Sequence, residues 1–193
     1  ISTCDPTGPA LVLGSAQRDD VVDRAACARA GVDVVRRRSG GGAVLVEREA
    51  LLWVDVLVPR SDELWHSDVG RSFGWLGATW QRALAEVGVS TRAHEGPMVT
   101  TRWSRLVCFA GLGPGELTDE RGRKVLGMSQ RRTATAARFQ CAVLAHWRPQ
   151  RLLAVLSLDA SERDAAAADL AEAAAPCGAD LEHLLAAFLR QLP

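Results

Sequence analysis

Up to about residue 146 the chain alternates short apolar, β-branched runs with glycine- and proline-containing turns; beyond it, alanine and leucine recur at helical spacing. Residues 10–14 (ALVLG) predict a strand. Residues 17–30 set Val21, Val22, Ala25, Ala26 and Ala28 at near-helical spacing ahead of Gly31, predicting a helix with a glycine cap. A β-branched run over 32–37 is interrupted by Gly40, Gly41 and Gly42, and residues 43–47 and 51–58 predict two more strands. Between 66 and 88, Val69, Phe73, Leu76, Trp80, Leu84 and Val87 recur every three or four positions, an amphipathic helix with one stripe for a sheet.

Residues 106–110 predict another strand and 113–115 (GPG) a loop. A hairpin with Glu120-Arg121-Gly122 at its turn leads into a strand over 124–131, with 138–146 returning. Pro149 opens a helix running to 156, Ser161-x-x-Asp164 reads as a capping box for the alanine stretch that follows, and 181–192 gives a last helix. The expected class is α+β, a mixed β-sheet core flanked by helices in one domain over 1–193, helical from about 149 and without an accessory C-terminal domain.

Hydrophobic residues make up 48% of the 193 positions, and the 23 Lys plus Arg balance the 23 Asp plus Glu. That composition excludes a disordered charged tail, no apolar run is long enough for a membrane span, and no broad basic surface for nucleic acid is expected. Five cysteines without a C-x-x-C pair read as reduced thiols, which with no basic-then-apolar leader indicates the cytoplasm. The histidines form no H-x-x-x-H or H-E-x-x-H arrangement, so no metal site is expected, and the tryptophans read as core or pocket wall. Only one of the 23 cationic Lys and Arg side chains is a lysine, Lys124.

Two segments could do chemistry. In Arg36-Arg37-Arg38-Ser39-Gly40-Gly41-Gly42-Ala43-Val44, glycines let backbone N–H groups approach an anion and guanidiniums fork onto its oxygens; the plain alternative is a surface turn with solvated arginines. In Gly122-Arg123-Lys124-Val125-Leu126-Gly127-Met128-Ser129-Gln130-Arg131, strand alternation sends Lys124 the same way as Leu126 and Met128. There it either holds a carboxylate or phosphate or snorkels to solvent.

Taken in order, R-R-x-S-G-G-G-A-V and, some ninety residues later, G-R-K-V-x-G-x-[SA]-Q-R resemble the lipoate-protein ligase A and octanoyltransferase superfamily, with the biotin/lipoate A/B protein ligase fold. The likeness runs from PALVLGSAQ near Pro9 to about Leu144. It implies that Gly40, Gly41, Gly42 and Ala43 line an acyl and adenylate channel, and that Arg37 contacts phosphate. Ser39, Gly127 and Ser129 stand at matching motif positions. Lys124 is implied to reach the acyl carbonyl and the α-phosphate, where its charge stabilises developing oxyanions. The implied reaction joins lipoate or octanoate to ATP, with Mg, as acyl-AMP. The acyl group then passes to a lysine of a lipoyl-acceptor domain, the glycine cleavage H protein or a 2-oxoacid dehydrogenase E2, with a separate accessory subunit possible.

Relatives usually continue with an aromatic, His-Asp and then Gly-Asn, where this chain has Leu45, Val46, Glu47, Glu49 and Ala50; Gln140-Cys141 stands where many carry His-Gly. Two alternatives stay open. Cys108-Phe109 lies where some octanoyltransferases and amidotransferases keep a nucleophilic cysteine, although residue type alone also allows a small buried hydrophobe. Apolar Val46 and Ala50 also permit a non-catalytic acyl or acyl-adenylate binding protein.

Overall fold

The strongest period-two stretches of the sequence become the middle of the larger of two sheets. The computed structural model describes residues 1–193. Its strands are β1 (Ser2–Cys4), β2 (Ala10–Leu13), β3 (Asp33–Arg36), β4 (Val44–Val46), β5 (Leu51–Pro59), β6 (Arg92–Ala93), β7 (Leu117–Thr118), β8 (Lys124–Arg132) and β9 (Ala136–Leu144). The helices are α1 (Arg24–Ala30), α2 (Gly74–Glu86), α3 (Pro149–Leu153), α4 (Ala160–Ala171) and α5 (Leu181–Arg190). No helix is long and apolar enough to cross a membrane.

Six strands form an antiparallel sheet in the order β1-β5-β9-β8-β7-β6. The expected mixed pairing lies in a second sheet, β3-β2-β4, where β2 is parallel to β3 and antiparallel to β4. Helices α2 and α5 cover one face of the large sheet, with Trp80 stacked on Phe188 at 3.9 Å between centroids in a core of 20 buried residues. A separate core joins the small sheet to α1, α3 and α4. Between the two sheets lies a third cluster with Val44, Val46, Trp53, Phe109 and Ala142, and it forms the floor of the site described below.

Several boundaries differ from the pattern, because local side chains intercept the backbone. The helix expected over 66–88 begins at Gly74, after a 3₁₀ turn over Arg71–Phe73: the Asp68 carboxylate accepts from the Arg71 amide at 2.9 Å, and Val69 is left exposed. The helix expected from 17 starts at Arg24, since Asp23 caps it through the Ala26 amide, and Gly31 ends it in the left-handed region at φ 63°. The capping box of α4 is Asp159 with Glu162, not Ser161 with Asp164. Residues 106–110 are no strand: Val107 makes a single parallel bridge to Ala43, and Cys108–Ala110 is a 3₁₀ turn.

Candidate functional site

The glycine loop leaves β3 and passes between the end of β2 and the 107–108 segment. Both approaches are backbone to backbone. A Cβ on Gly14 would stand 1.9 Å from the Gly41 carbonyl oxygen, and one on Gly42 would stand 2.6–2.7 Å from backbone atoms of Val107 and Cys108. Gly41 has φ 94°, which favours glycine. The amides of Gly40, Gly41 and Gly42 are all unpaired within the chain, so the loop offers three adjacent N–H donors.

Arg37 is buried beneath this loop. Its Nη2 donates to the carbonyls of Gly40 (2.7 Å) and Gly42 (2.9 Å), and its Nη1 to that of Val12 (3.2 Å). The guanidinium therefore braces the loop from below. Burial pulls its pKa below the ordinary value, against the opposing pull of the neighbouring Cys108 thiol. Ala43 is fully buried and ties the loop to the 106–108 segment, its N–H donating to Leu106 O and its carbonyl accepting from the Cys108 amide.

Lys124 does not share a face with Leu126 and Met128, contrary to strand alternation. Thr118 pairs with Lys124 but Leu117 pairs with Leu126, so the strand carries one extra residue, a β-bulge that re-aims the lysine. A Cβ on Gly127 would stand 3.2 Å from the Lys124 Cε and 3.3 Å from Phe109, which puts Gly127 on the lysine's side. The bulge is held by the chain beyond α4: the Lys124 amide donates to Ala173 O, and its carbonyl accepts from the Ala175 amide, each at 3.0 Å.

The Lys124 ammonium is buried. Nζ donates to the carbonyls of Cys108 (3.1 Å) and Gly111 (2.9 Å) and pairs with Glu116 Oε2 at 2.7 Å. Sequence reading missed Glu116, which sits in a Gly-Pro-Gly-Glu loop without periodicity; the one available signal was that a lysine facing inward needs an anion. Ser39 and Ser129, ninety residues apart, meet at 2.9 Å, and Ser39 also donates to Gln140 Oε1 at 2.6 Å. Gln140 in turn donates to Asp55, whose carboxylate also accepts from Trp53 and pairs with Arg138.

Two hollows meet the loop segment at its ends, one at Ala43 and one at Arg37, and Gly40, Gly41 and Gly42 line neither. One, of about 240 Å³, lies against residues 43–51 and is walled by Phe109 and Trp147, whose rings are 5.7 Å apart. The other, of about 730 Å³, runs from Arg37 and Val12 past Val46, Trp53 and Gln140 to the 2–8 segment. Ala50 faces the smaller hollow and Val46 the larger. Glu49 keeps a left-handed conformation, φ 63°. Cys108 is half-buried, and its Sγ lies 3.7 Å from where a Gly41 Cβ would stand. Burial pushes the thiols of Cys27 and Cys177 up, and that of Cys141 up to about 12. Cys177 belongs to the core beneath α5, away from the site. No three His, Cys, Asp or Glu side chains converge on a metal position.

The family model of the lipoyl protein ligase A/B catalytic domain matches residues 6–176. A search of curated protein sequences finds no match. Among solved structures, the chain is similar to a bipartite lipoate protein ligase from Thermoplasma acidophilum, described together with its E2 lipoyl domain. The TM-score is 0.75 and the identity 21%, over 95% of this chain and 66% of that one. It is also similar to a T. acidophilum protein with bound lipoic acid and to a lipoate-protein ligase A bound with ATP. Each has a TM-score of 0.68 and 19% identity, over 95% of this chain and 67% of that one. The chain spans about two thirds of the length of these proteins. A glycine loop with open amides, a bulged lysine strand folded against it, and a family model that takes in both place this chain in the lipoyl protein ligase A/B catalytic domain family.

Proposed function

We propose that the protein is a lipoate-protein ligase that joins lipoate or octanoate to a lysine of a lipoyl-acceptor domain through an acyl-AMP. The carrying observation is convergence on one short segment: Gly42 packs on the backbone of Val107 and Cys108, and the sole lysine of the chain donates to the Cys108 carbonyl. In the first step a carboxylate oxygen attacks the α-phosphorus of ATP and pyrophosphate leaves. In the second the acceptor amine attacks the acyl carbon, the bond to AMP breaks, and the nitrogen gives up a proton. Both steps develop negative charge, and in this reading the open amides of Gly40, Gly41 and Gly42 meet it together with the ammonium of Lys124 once that is released from its internal acceptors. The aromatic-walled hollow suits a flat base and the larger one an acyl chain. Structures of relatives with lipoic acid and with ATP support this substrate pair. Mg belongs to the reading as the counter-ion that travels with the triphosphate. Five unbridged cysteines fit a reducing cytoplasm.

The acceptor, a glycine cleavage H protein or a 2-oxoacid dehydrogenase E2 domain in this reading, is expected to present acidic residues. Arg38, Arg131 and Arg138 are exposed around a hollow beside Ser39 and Gln140, and Arg131 and Arg138 stand directly opposite each other on β8 and β9. Arg138 is already paired with Asp55 at 2.6 Å, which leaves Arg38 and Arg131 as the cations open to an acidic partner. Transfer to the acceptor should therefore weaken with salt, and Arg131→Glu should raise the KM for the acceptor about tenfold while leaving acyl-AMP formation unchanged. A salt-independent KM removes this face from acceptor recognition. The T. acidophilum relative is described as bipartite, which supports a separate accessory subunit here as well.

The test is the intact mass of an acceptor domain after incubation with octanoate, with and without MgATP, and alternatively with an octanoyl-carrier protein. The ligase reading requires an ATP-dependent shift, with Cys108→Ser as active as the parent. The placing of the Arg37 guanidinium beside Cys108 favours one second reading, an acyl-thioester transferase. For that enzyme the shift appears only with the preacylated carrier and Cys108→Ser abolishes it. No shift with any donor leaves a non-catalytic binding protein.

A further inference from the structure

An ammonium has three N–H donors, and those of Lys124 are all in use, on Cys108 O, Gly111 O and Glu116 Oε2. The side chains of Lys124 and Glu116 are 4% and 5% exposed, and the Phe109 ring stands 5.3 Å from Nζ. Nothing remains on the ammonium for a substrate oxygen, and its charge is balanced from within the chain. Glu116 is held independently of the lysine: Oε1 accepts from the Met128 amide at 2.7 Å and Oε2 from the Gly113 amide at 2.6 Å. The carboxylate is thus fixed to β8 and to the loop ahead of β7, whether or not the lysine stays with it.

We propose that Glu116 is a positioning residue that competes with the substrate anion for Lys124. In the resting protein it holds and neutralises the ammonium. When a carboxylate or phosphoryl oxygen enters on the glycine loop, repulsion between the two anions and the arrival of a new acceptor transfer Nζ from Glu116 to the substrate. Glu116 remains on its two amides, which stabilise its charge. Of the three acceptors of Nζ it is the carboxylate that yields, because the carbonyls of Cys108 and Gly111 carry no net charge to be repelled. The identity of the incoming anion rests on the function proposed above; the resting lock on Lys124 does not.

Because Lys124 is the only lysine, labelling with ¹⁵N-lysine gives one side-chain ammonium signal, and octanoate is the probe. Saturating octanoate is expected to move that signal in the parent protein. Calorimetric titration should show Glu116→Gln binding octanoate about tenfold more tightly, because the internal competitor is gone. A merely structural Glu116 gives equal or weaker binding in a folded variant, and that result overturns the proposal. So does octanoate binding by calorimetry without movement of the Lys124 signal, which leaves the acyl-transfer reading standing. If octanoate and lipoate bind neither protein, the acyl reading falls. The lock is then judged on the ligand-free proteins, where Glu116→Gln must shift or broaden the Lys124 signal, and an unchanged signal overturns it. Should Glu116→Gln not fold, the parent titration decides alone.

Discussion

Lys124→Ala is expected to slow acyl transfer by about a hundred- to a thousandfold, the cost of removing one charged donor aimed at a developing oxyanion. Lys124→Arg should restore little of it. The side chain fits between Phe109 and the bare α-carbon of Gly127, where even one added carbon would stand 3.2 Å from the lysine Cε, and a planar fork cannot take the same three acceptors. The alanine variant also loses stability, because Glu116 stays buried without its cation. A cost of about 3 kcal/mol, or roughly a 10 °C fall in melting temperature, is expected. Activity is therefore to be compared well below the lowered transition, with the acceptor mass shift as readout. Full transfer by either variant removes Lys124 from the chemistry.

The second large effect is expected at Gly42. Its missing Cβ makes room for the backbone of Val107 and Cys108, with three atoms within 2.7 Å of where that carbon would be, and none of them can swing aside as a side chain could. Gly42→Ala must push the loop off the 107–108 segment, at about 2–3 kcal/mol, and loss of transfer is expected because the same segment carries the Cys108 carbonyl that holds Lys124. Gly40→Ala is the control. Nothing lies within 4 Å of a Cβ there, so it should melt like the parent. Thermal unfolding of the two variants side by side separates a packed loop from a mobile one, in which both would be tolerated.

The sequence motifs brought out the glycine loop and Lys124, and the structure folds them against one segment. Ser39 and Ser129 were readable as motif positions, and their hydrogen bond required only that β3 and β8 face each other. Other features depended on contacts that spacing does not carry. The direction of Lys124 turned on one bulged residue, which takes the lysine off the face that Leu126 and Met128 keep in the core. Glu116 is held inside by Lys124 and by the amides of Gly113 and Met128, and Asp55 by Gln140 and Arg138 on a neighbouring strand; no pattern distinguishes either from a surface acid. Helix starts at Gly74 and Arg24 were displaced by Asp68 and Asp23, side chains that cap or turn the backbone just before the apolar stripe begins. Arg37, implied by the family pattern to touch phosphate, spends most of its donors on the loop itself, so its removal should loosen three glycines rather than one contact.

The pinning of the Lys124 backbone by Ala173 and Ala175 sets an order of events during synthesis. The lysine strand and the glycine loop leave the ribosome early, but the residues that seat the bulge follow about fifty positions later. A nascent chain that has not yet released α4 and the segment behind it holds every side chain of the site and has no site. Seating of the lysine thus waits on the 173–175 segment, and a chain that stops short of it is expected to lack the bulge however well its sheet has formed.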